Sequence, residues 1–163
     1  MHTDDDLTKL AKRLREHASV TGAVIATAES CTGGWVAKML TDIAGSSAWF
    51  DRGFVTYTNE SKQEMLGVQA ATLEAYGAVS EQAVCEMAQG VLNNSGASIS
   101  VAVSGIAGPD GAMPGKPVGT VCFAWAQRGG DVQSCREQFS GDRDQVRREA
   151  VACALKGILG LVG

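Results

Sequence analysis

Histidine is almost missing from this chain. Its 163 residues include only His2 and His17. The first stands at the start of the sequence, and the second lies among charges on a helix face expected to be exposed. A Ser-His-Asp triad or a histidine-ligated metal site therefore has no well-placed histidine to use. Cysteine occurs five times, as Cys31, Cys85, Cys122, Cys135 and Cys153, an odd number with no C-x-x-C pair. That pattern argues against a zinc knuckle or a disulfide framework and fits free thiols in a reducing cytoplasm. Long apolar runs are absent too, so no segment reaches the roughly 20 residues of a membrane span. Residues 1–6 are acidic, where a secretory signal would be basic and followed by an apolar stretch. A cytoplasmic location is expected, with no membrane partner. Positive charge is in deficit: 14 Lys and Arg stand against 18 Asp and Glu, a net charge of −4. Nothing in that balance neutralises a run of phosphates, so nucleic acid is not an expected partner. One local arginine can still serve a small anionic ligand.

What is present reads as one domain over 1–163. Hydrophobic residues make up 45% and charged residues 20%, which suits a chain able to bury a core without disulfides. Residues 6–18 predict a helix, with Leu7, Leu10, Ala11 and Leu14 on one face and Gly22 after its end. Residues 23–28 (AVIATA) predict a buried strand. Helical spacing resumes at Trp35, Val36, Met39 and Leu40, and Gly45 closes it. Residues 53–58 (GFVTYT) predict a second strand, followed by a helix capped by Asn59 and carrying Lys62. Ser80 opens a helix that ends near Asn94. Residues 98–104 (SISVAVS) predict a third strand, and a long loop covers 105–117. Residues 119–126 and 132–139 predict a hairpin, and a last helix starts near Asp142. Alternating strands and helices imply an α/β fold, a mostly parallel sheet with helices on both faces. Ligands in such sheets bind beyond the carboxyl ends of the strands. Three polar segments fall there: 29–34, 57–62 and 104–110.

The first segment, Glu29-Ser30-Cys31-Thr32-Gly33-Gly34, is a polar turn between strand and helix. Its glycines let a ligand approach the backbone, and N–H groups at a helix start can hold an anion or an oxyanion. Ser30 is a candidate nucleophile, and Cys31 is a rival whose thiol a helix N-terminus would activate. A plain αβ turn capped by Thr32 accounts for the same spacing. The segment is neither a Walker loop nor a dinucleotide fingerprint. The second constellation is Tyr57 with Lys62. With Asn59 as cap, Lys62 occupies the third helical position, where the helix dipole disfavours its charge. Partial burial would lower its pKa further and make it a usable base, with Tyr57 as a proton shuttle. A solvated lysine and an ordinary strand tyrosine are the alternative. The loop from Ser104 and Gly105 through Gly111 is rich in small residues that suit a ligand cradle. At the start of the last helix, Arg143 in Ser140-Gly141-Asp142-Arg143 suits a phosphate. Arg147 and Arg148 read as solvated.

Taken in order, TAESCTGG (27–34), AGSSAWFDRGFVTYTNESK (44–62), GAVSE (77–81), SGIAGPDG (104–111), KPVGTV (116–121) and FSGDRDQVRR (139–148) resemble the C-terminal domain of competence/damage-inducible CinA proteins. The resemblance runs from about residue 6 to 160. It implies a three-layer α/β/α sandwich with a mixed sheet. It also implies the activity of the stand-alone members, hydrolysis of nicotinamide mononucleotide to nicotinate mononucleotide and ammonia. The family's serine, tyrosine and lysine fall on Ser30, Tyr57 and Lys62, and a second serine on Ser47, an alternative nucleophile. Its hydroxyl before Gly-Ile-Ala-Gly falls on Ser104 and its arginine on Arg143. Thr32, Gly33, Gly34 and Gly105 complete the expected substrate contacts, with N–H groups near Gly33 as oxyanion donors. The expected chemistry is attack by Ser30 with neutral Lys62 as base, without cofactor or metal. The expected partners are the mononucleotide and further copies of the chain in a homo-oligomer. A nucleotide-binding module without turnover is the alternative, and a nicotinamide-dependent oxidoreductase lacks its fingerprint.

Overall fold

Two faces of one sheet, built from residues of different size, set the architecture. In the computed structural model, which describes residues 1–162, the strands are β1 (Ile25–Glu29), β2 (Phe50–Val55), β3 (Ile99–Gly105), β4 (Thr120–Gln127) and β5 (Val132–Gln138). They lie in the order β2-β1-β3-β4-β5. β1 pairs in parallel with β2 and β3, and β4 pairs antiparallel with both β3 and β5. Four of the five strands therefore point one way, giving the mostly parallel mixed sheet that was expected. Alternate residues along a strand face opposite sides. Ile25, Val101, Val103, Val121, Phe123 and Trp125 face one layer, packed with residues of α1 (Asp4–Thr21), α2 (Trp35–Thr41) and α6 (Arg143–Val162). Ala26, Ala28, Ala102, Ala124 and Ala126 face the other, packed with α3 (Asn59–Leu66), α4 (Ala70–Tyr76) and α5 (Glu81–Asn93). The alanine face brings α5 close to the sheet, and Ser100 on that face donates from its hydroxyl to Ala88 O at 2.8 Å.

Helix ends follow their capping chemistry. Gly22 closes α1 in the left-handed region and Ser80 caps α5. Asp142 and Gln145 exchange hydrogen bonds at the start of α6. Several element boundaries shift by up to three residues from those expected, α1 (Asp4–Thr21 against 6–18) and β1 (Ile25–Glu29 against 23–28) among them. The second strand spans Phe50–Val55 rather than 53–58. Its pairing with β1 begins where Ile25 N–H donates to Trp49 O and ends where Thr56 N–H donates to Glu29 O. Thr58, not Asn59, caps α3, because its side chain accepts from Ser61 N–H while the Ser61 hydroxyl accepts from Thr58 N–H. The short α4 carries no capping side chain and was not anticipated. Among the described residues, no helix is long and apolar enough to cross a membrane.

Helix α3 ends close against Gly90 of α5. A Cβ there would fall 2.1 Å from Leu66 O, the last residue of α3. A glycine-to-alanine change inside a helix ordinarily stabilises by up to about 1 kcal/mol, but the clash is with backbone and reverses the sign. Gly90→Ala is expected to destabilise by about 1–3 kcal/mol, read from the urea midpoint. An unchanged or raised midpoint would contradict this packing of α3.

Candidate active site

β1 ends at Glu29, and the chain then turns through residues 30–34 into α2. Ser30 N–H donates to Val103 O of β3 at 3.0 Å, seating the turn over the ends of two strands. The turn needs two successive left-handed residues, supplied by Gly33 (φ 60) and Gly34 (φ 100). Any other residue would cost roughly 1–2 kcal/mol at each. Beneath it lies Glu29, 1% exposed. Its carboxylate accepts from the Thr32 hydroxyl at 2.6 Å, Val36 N–H at 2.8 Å and Ala37 N–H at 3.1 Å. It therefore satisfies donors that the start of α2 leaves open, at the favourable end of the helix dipole. Glu29 had no expected role. Two of these contacts lie seven and eight residues ahead and exist only once the turn has formed.

Lys62 comes to this turn from α3. The cap at Thr58 makes it the fourth helical residue, its N–H donating to Thr58 O at 3.2 Å. Its side chain is 1% exposed, the largest fully buried one in the chain. Nζ lies 2.9 Å from Ser30 Oγ, 2.7 Å from Thr56 O and 3.3 Å from Tyr57 O. Burial pushes the amine down to about 8 from its ordinary 10.5, because the charged form loses its hydration. A neutral amine can satisfy this cage: its two N–H groups can donate to the two carbonyls, which leaves its lone pair to accept from the Ser30 hydroxyl.

A cavity of about 260 Å³ opens above the pair, lined by Ser30, Tyr57, Lys62, Ser104, Gly105 and Arg143 among others. These segments leave the carboxyl ends of β1, β2 and β3, as the topology requires. Ser104 is buried. Arg143, the first residue of α6, donates to Gly108 O at 2.9 Å and to the Tyr57 hydroxyl at 3.0 Å. It thereby ties the 105–111 loop to Tyr57 across the rim. The Tyr57 hydroxyl is thus directed to Arg143 and not to Lys62. What Tyr57 presents to Lys62 is its backbone carbonyl, and that corrects the proton-shuttle expectation.

Five further expectations change. Ser47 is exposed on a 3₁₀ turn (Ser46–Ala48) at the amino end of β2, the opposite end of the sheet from Ser30, so one chain does not bring the two serines together. The Cys31 thiol is pushed up to about 12, chiefly by burial and then by the Glu29 charge. It is no activated nucleophile. Gly33 N–H already donates to Ser30 O and is not free for an oxyanion. Thr32, Gly33 and Gly34 line the other side of the turn, in a cleft of about 610 Å³ shared with Trp35, Arg147 and Arg148. The two arginines are not solvated tails. Their guanidinium carbons stand 5.5 and 5.1 Å from the Trp35 ring centroid, and Arg147 donates to Cys31 O at 3.0 Å and Thr32 O at 3.2 Å.

Residues 7–162 match the CinA C-terminal domain family. The chain is 57% identical to the nicotinamide-nucleotide amidohydrolase PncC of Escherichia coli (strain K12) over 154 residues, covering 94% of this chain and 93% of that protein. It is 52% identical to the nicotinamide-nucleotide amidohydrolase PncC of Pseudomonas putida over 157 residues, covering 96% and 98%. The crystal structure of competence/damage inducible protein CihA from Agrobacterium tumefaciens superposes with a TM-score of 0.94 at 46% identity, covering 97% of this chain and 96% of that one.

The buried amine makes stability depend on pH. Below about pH 8 Lys62 is protonated in both folded and unfolded chains. Between 8 and 10.5 only the unfolded chain keeps the proton, so stability rises with pH. The span of about 2.5 units corresponds to about 3 kcal/mol. Lys62→Met keeps the stem and removes the titration. From pH 7 to 10.5 the wild type is expected to gain about 3 kcal/mol relative to this variant in urea unfolding. Parallel curves for the two proteins would contradict a depressed Lys62.

Proposed function

The chain belongs to the CinA C-terminal domain family, and from that premise we propose that it hydrolyses the carboxamide of nicotinamide mononucleotide, with Ser30 as nucleophile and neutral Lys62 as its base. The observation that carries this reading is the 2.9 Å contact between Lys62 Nζ and Ser30 Oγ inside a cavity. The relatives' name supplies the substrate class, a nicotinamide nucleotide. Ser30 Oγ attacks the amide carbon, and its proton passes to Lys62. The tetrahedral intermediate collapses as the amide nitrogen takes that proton and leaves as ammonia. Water then adds to the seryl ester with Lys62 again as base, and nicotinate mononucleotide departs as the carboxylate. Lysine here does the work histidine does elsewhere, and the chain has no histidine at the site. Burial makes this workable, since an amine near 8 is partly neutral at physiological pH where an ordinary lysine is not.

Arg143 stands on the cavity rim at the start of α6, where helix N–H groups add to its charge. It is proposed to take the 5′-phosphate, with Ser104 and Gly105 lining the floor under the pyridine ring.

The purified protein is expected to release ammonia and nicotinate mononucleotide from nicotinamide mononucleotide, unaffected by a chelator. Ser30→Ala is expected to lower turnover by roughly a thousandfold or more, and Lys62→Arg, which cannot give up its proton, to be nearly inactive. Ser30→Ala at wild-type rate, or full loss in chelator restored by one metal, would sink the serine–lysine mechanism. Ser47→Ala in place of Ser30→Ala as the inactive variant would move the nucleophile.

The phosphate assignment has its own readout. A charge-assisted contact is worth roughly 1.5–3 kcal/mol, so Arg143→Ala is expected to raise KM about ten- to hundredfold. The preference for the mononucleotide over nicotinamide riboside should largely disappear with it. An equal loss on both substrates would show that Arg143 does not read the phosphate.

A further inference from the structure

The peptide that follows Ser30 is held from a helix remote in sequence. Arg147 of α6 donates Nε–H to Cys31 O at 3.0 Å and Nη2–H to Thr32 O at 3.2 Å. Its planar fork fixes both carbonyls at once, and the Trp35 ring 5.5 Å away holds the guanidinium in place. The bond between Cys31 and Thr32 is trans, the only cis peptide among the described residues being Gly108–Pro109. In a trans peptide N–H and C=O point in opposite directions. Drawing Cys31 O toward Arg147 therefore turns Thr32 N–H away from it. That N–H belongs to a fully buried residue and has no acceptor among the described residues. Gly33 N–H, by contrast, is committed to Ser30 O.

We infer that Arg147 is a positioning residue for Ser30: by gripping Cys31 O and Thr32 O it fixes the turn that carries the nucleophile. The inference rests on Ser30 being the nucleophile. It does not depend on which amide is the substrate. Arg147 itself touches no reacting atom. It lines the 610 Å³ cleft on the far side of the turn from the Ser30 cavity. Removing its side chain would thus open space that communicates with solvent and can admit a small guanidinium ion.

The test uses methanesulfonyl fluoride, small enough for the 260 Å³ cavity. Ser30 Oγ forms a bond to sulfur, the S–F bond breaks, fluoride leaves, and the serine proton goes to Lys62. The labelling rate at Ser30, read by mass spectrometry, reports the nucleophile without the natural substrate. Arg147→Ala is expected to slow labelling about ten- to hundredfold, as a misplacement of the reacting group does. Turnover of nicotinamide mononucleotide should lose kcat by a similar factor, with KM within about twofold. Millimolar methylguanidinium should restore both rates saturably, and neutral methylurea should not. Arg148→Ala removes the other guanidinium over Trp35 without touching the turn, and should label at the wild-type rate. Should Arg147→Ala not fold, Arg147→Lys serves: it keeps charge and stem but not the fork, and should also be slow. Wild-type labelling by either Arg147 variant would overturn the inference. So would a loss confined to KM, a loss shared equally by Arg148→Ala, or a folded Arg147→Ala that methylguanidinium does not rescue. A wild type that is labelled rapidly but leaves nicotinamide mononucleotide intact would overturn the substrate while leaving the Arg147 test in force. A wild type that is not labelled at Ser30 would overturn the nucleophile and, with it, the inference for Arg147, whichever amide is the substrate.

Discussion

A lysine amine buried without a carboxylate is the constraint around which this molecule is arranged. Lys62 meets only two backbone carbonyls and one hydroxyl, so nothing of opposite charge repays the loss of hydration. The favourable response is to lose the proton. Each neighbouring element serves that arrangement. Thr58 starts α3 at the residue that sets Lys62 under the ends of β1 and β2. The close passage of α3 over Gly90 fixes the depth of the helix. The end of β2 supplies Thr56 O and Tyr57 O as acceptors, the bonds a neutral amine can make with its two hydrogens. Folding stability is given up at neutral pH to keep a buried amine beside Ser30, a trade that the proposed base role would call for.

The Ser30 turn is built to a matching standard of rigidity. Two left-handed glycines shape it, the Glu29 carboxylate ties it to α2 from below, and Arg147 grips its carbonyls from α6. A cleft of about 610 Å³ lies behind the turn, while a cavity of about 260 Å³ in front holds Ser30 and Lys62. Size alone would favour the cleft behind; the buried amine is the reason the proposed chemistry is assigned to the cavity in front. Arg143 and Tyr57 close the rim of the smaller cavity through one hydrogen bond. An anion that drew Arg143 away would also release Tyr57.

Features set by local chemistry were legible from the sequence. Gly22 after a periodic apolar stripe, Ser80 before another, and the hairpin of β4 and β5 each fell where the structure places them. So did the three polar segments at the carboxyl ends of the strands, because the alternation of strand and helix dictates that end. Features set by distant partners were not. Tyr57 and Lys62 stand five residues apart and suggest a side-chain pair, yet the tyrosine hydroxyl goes to Arg143, 86 residues away. Arg147 resembled any charged residue on an amphipathic helix until the turn beneath it was in place. Cys31 showed the converse: a helix start favours a thiolate, but burial beside Glu29 outweighs it.

The state of one amine carries the mechanism, and nuclear magnetic resonance can read it directly. Protein labelled at lysine Cε, with Lys62→Met used to assign the Lys62 signal, is titrated from pH 6 to pH 11. Lys62 is expected to titrate near 8, well below the ordinary value for a lysine, about 10.4. A Lys62 signal that titrates near that ordinary value would show an amine charged at neutral pH, and Ser30 would then have no base.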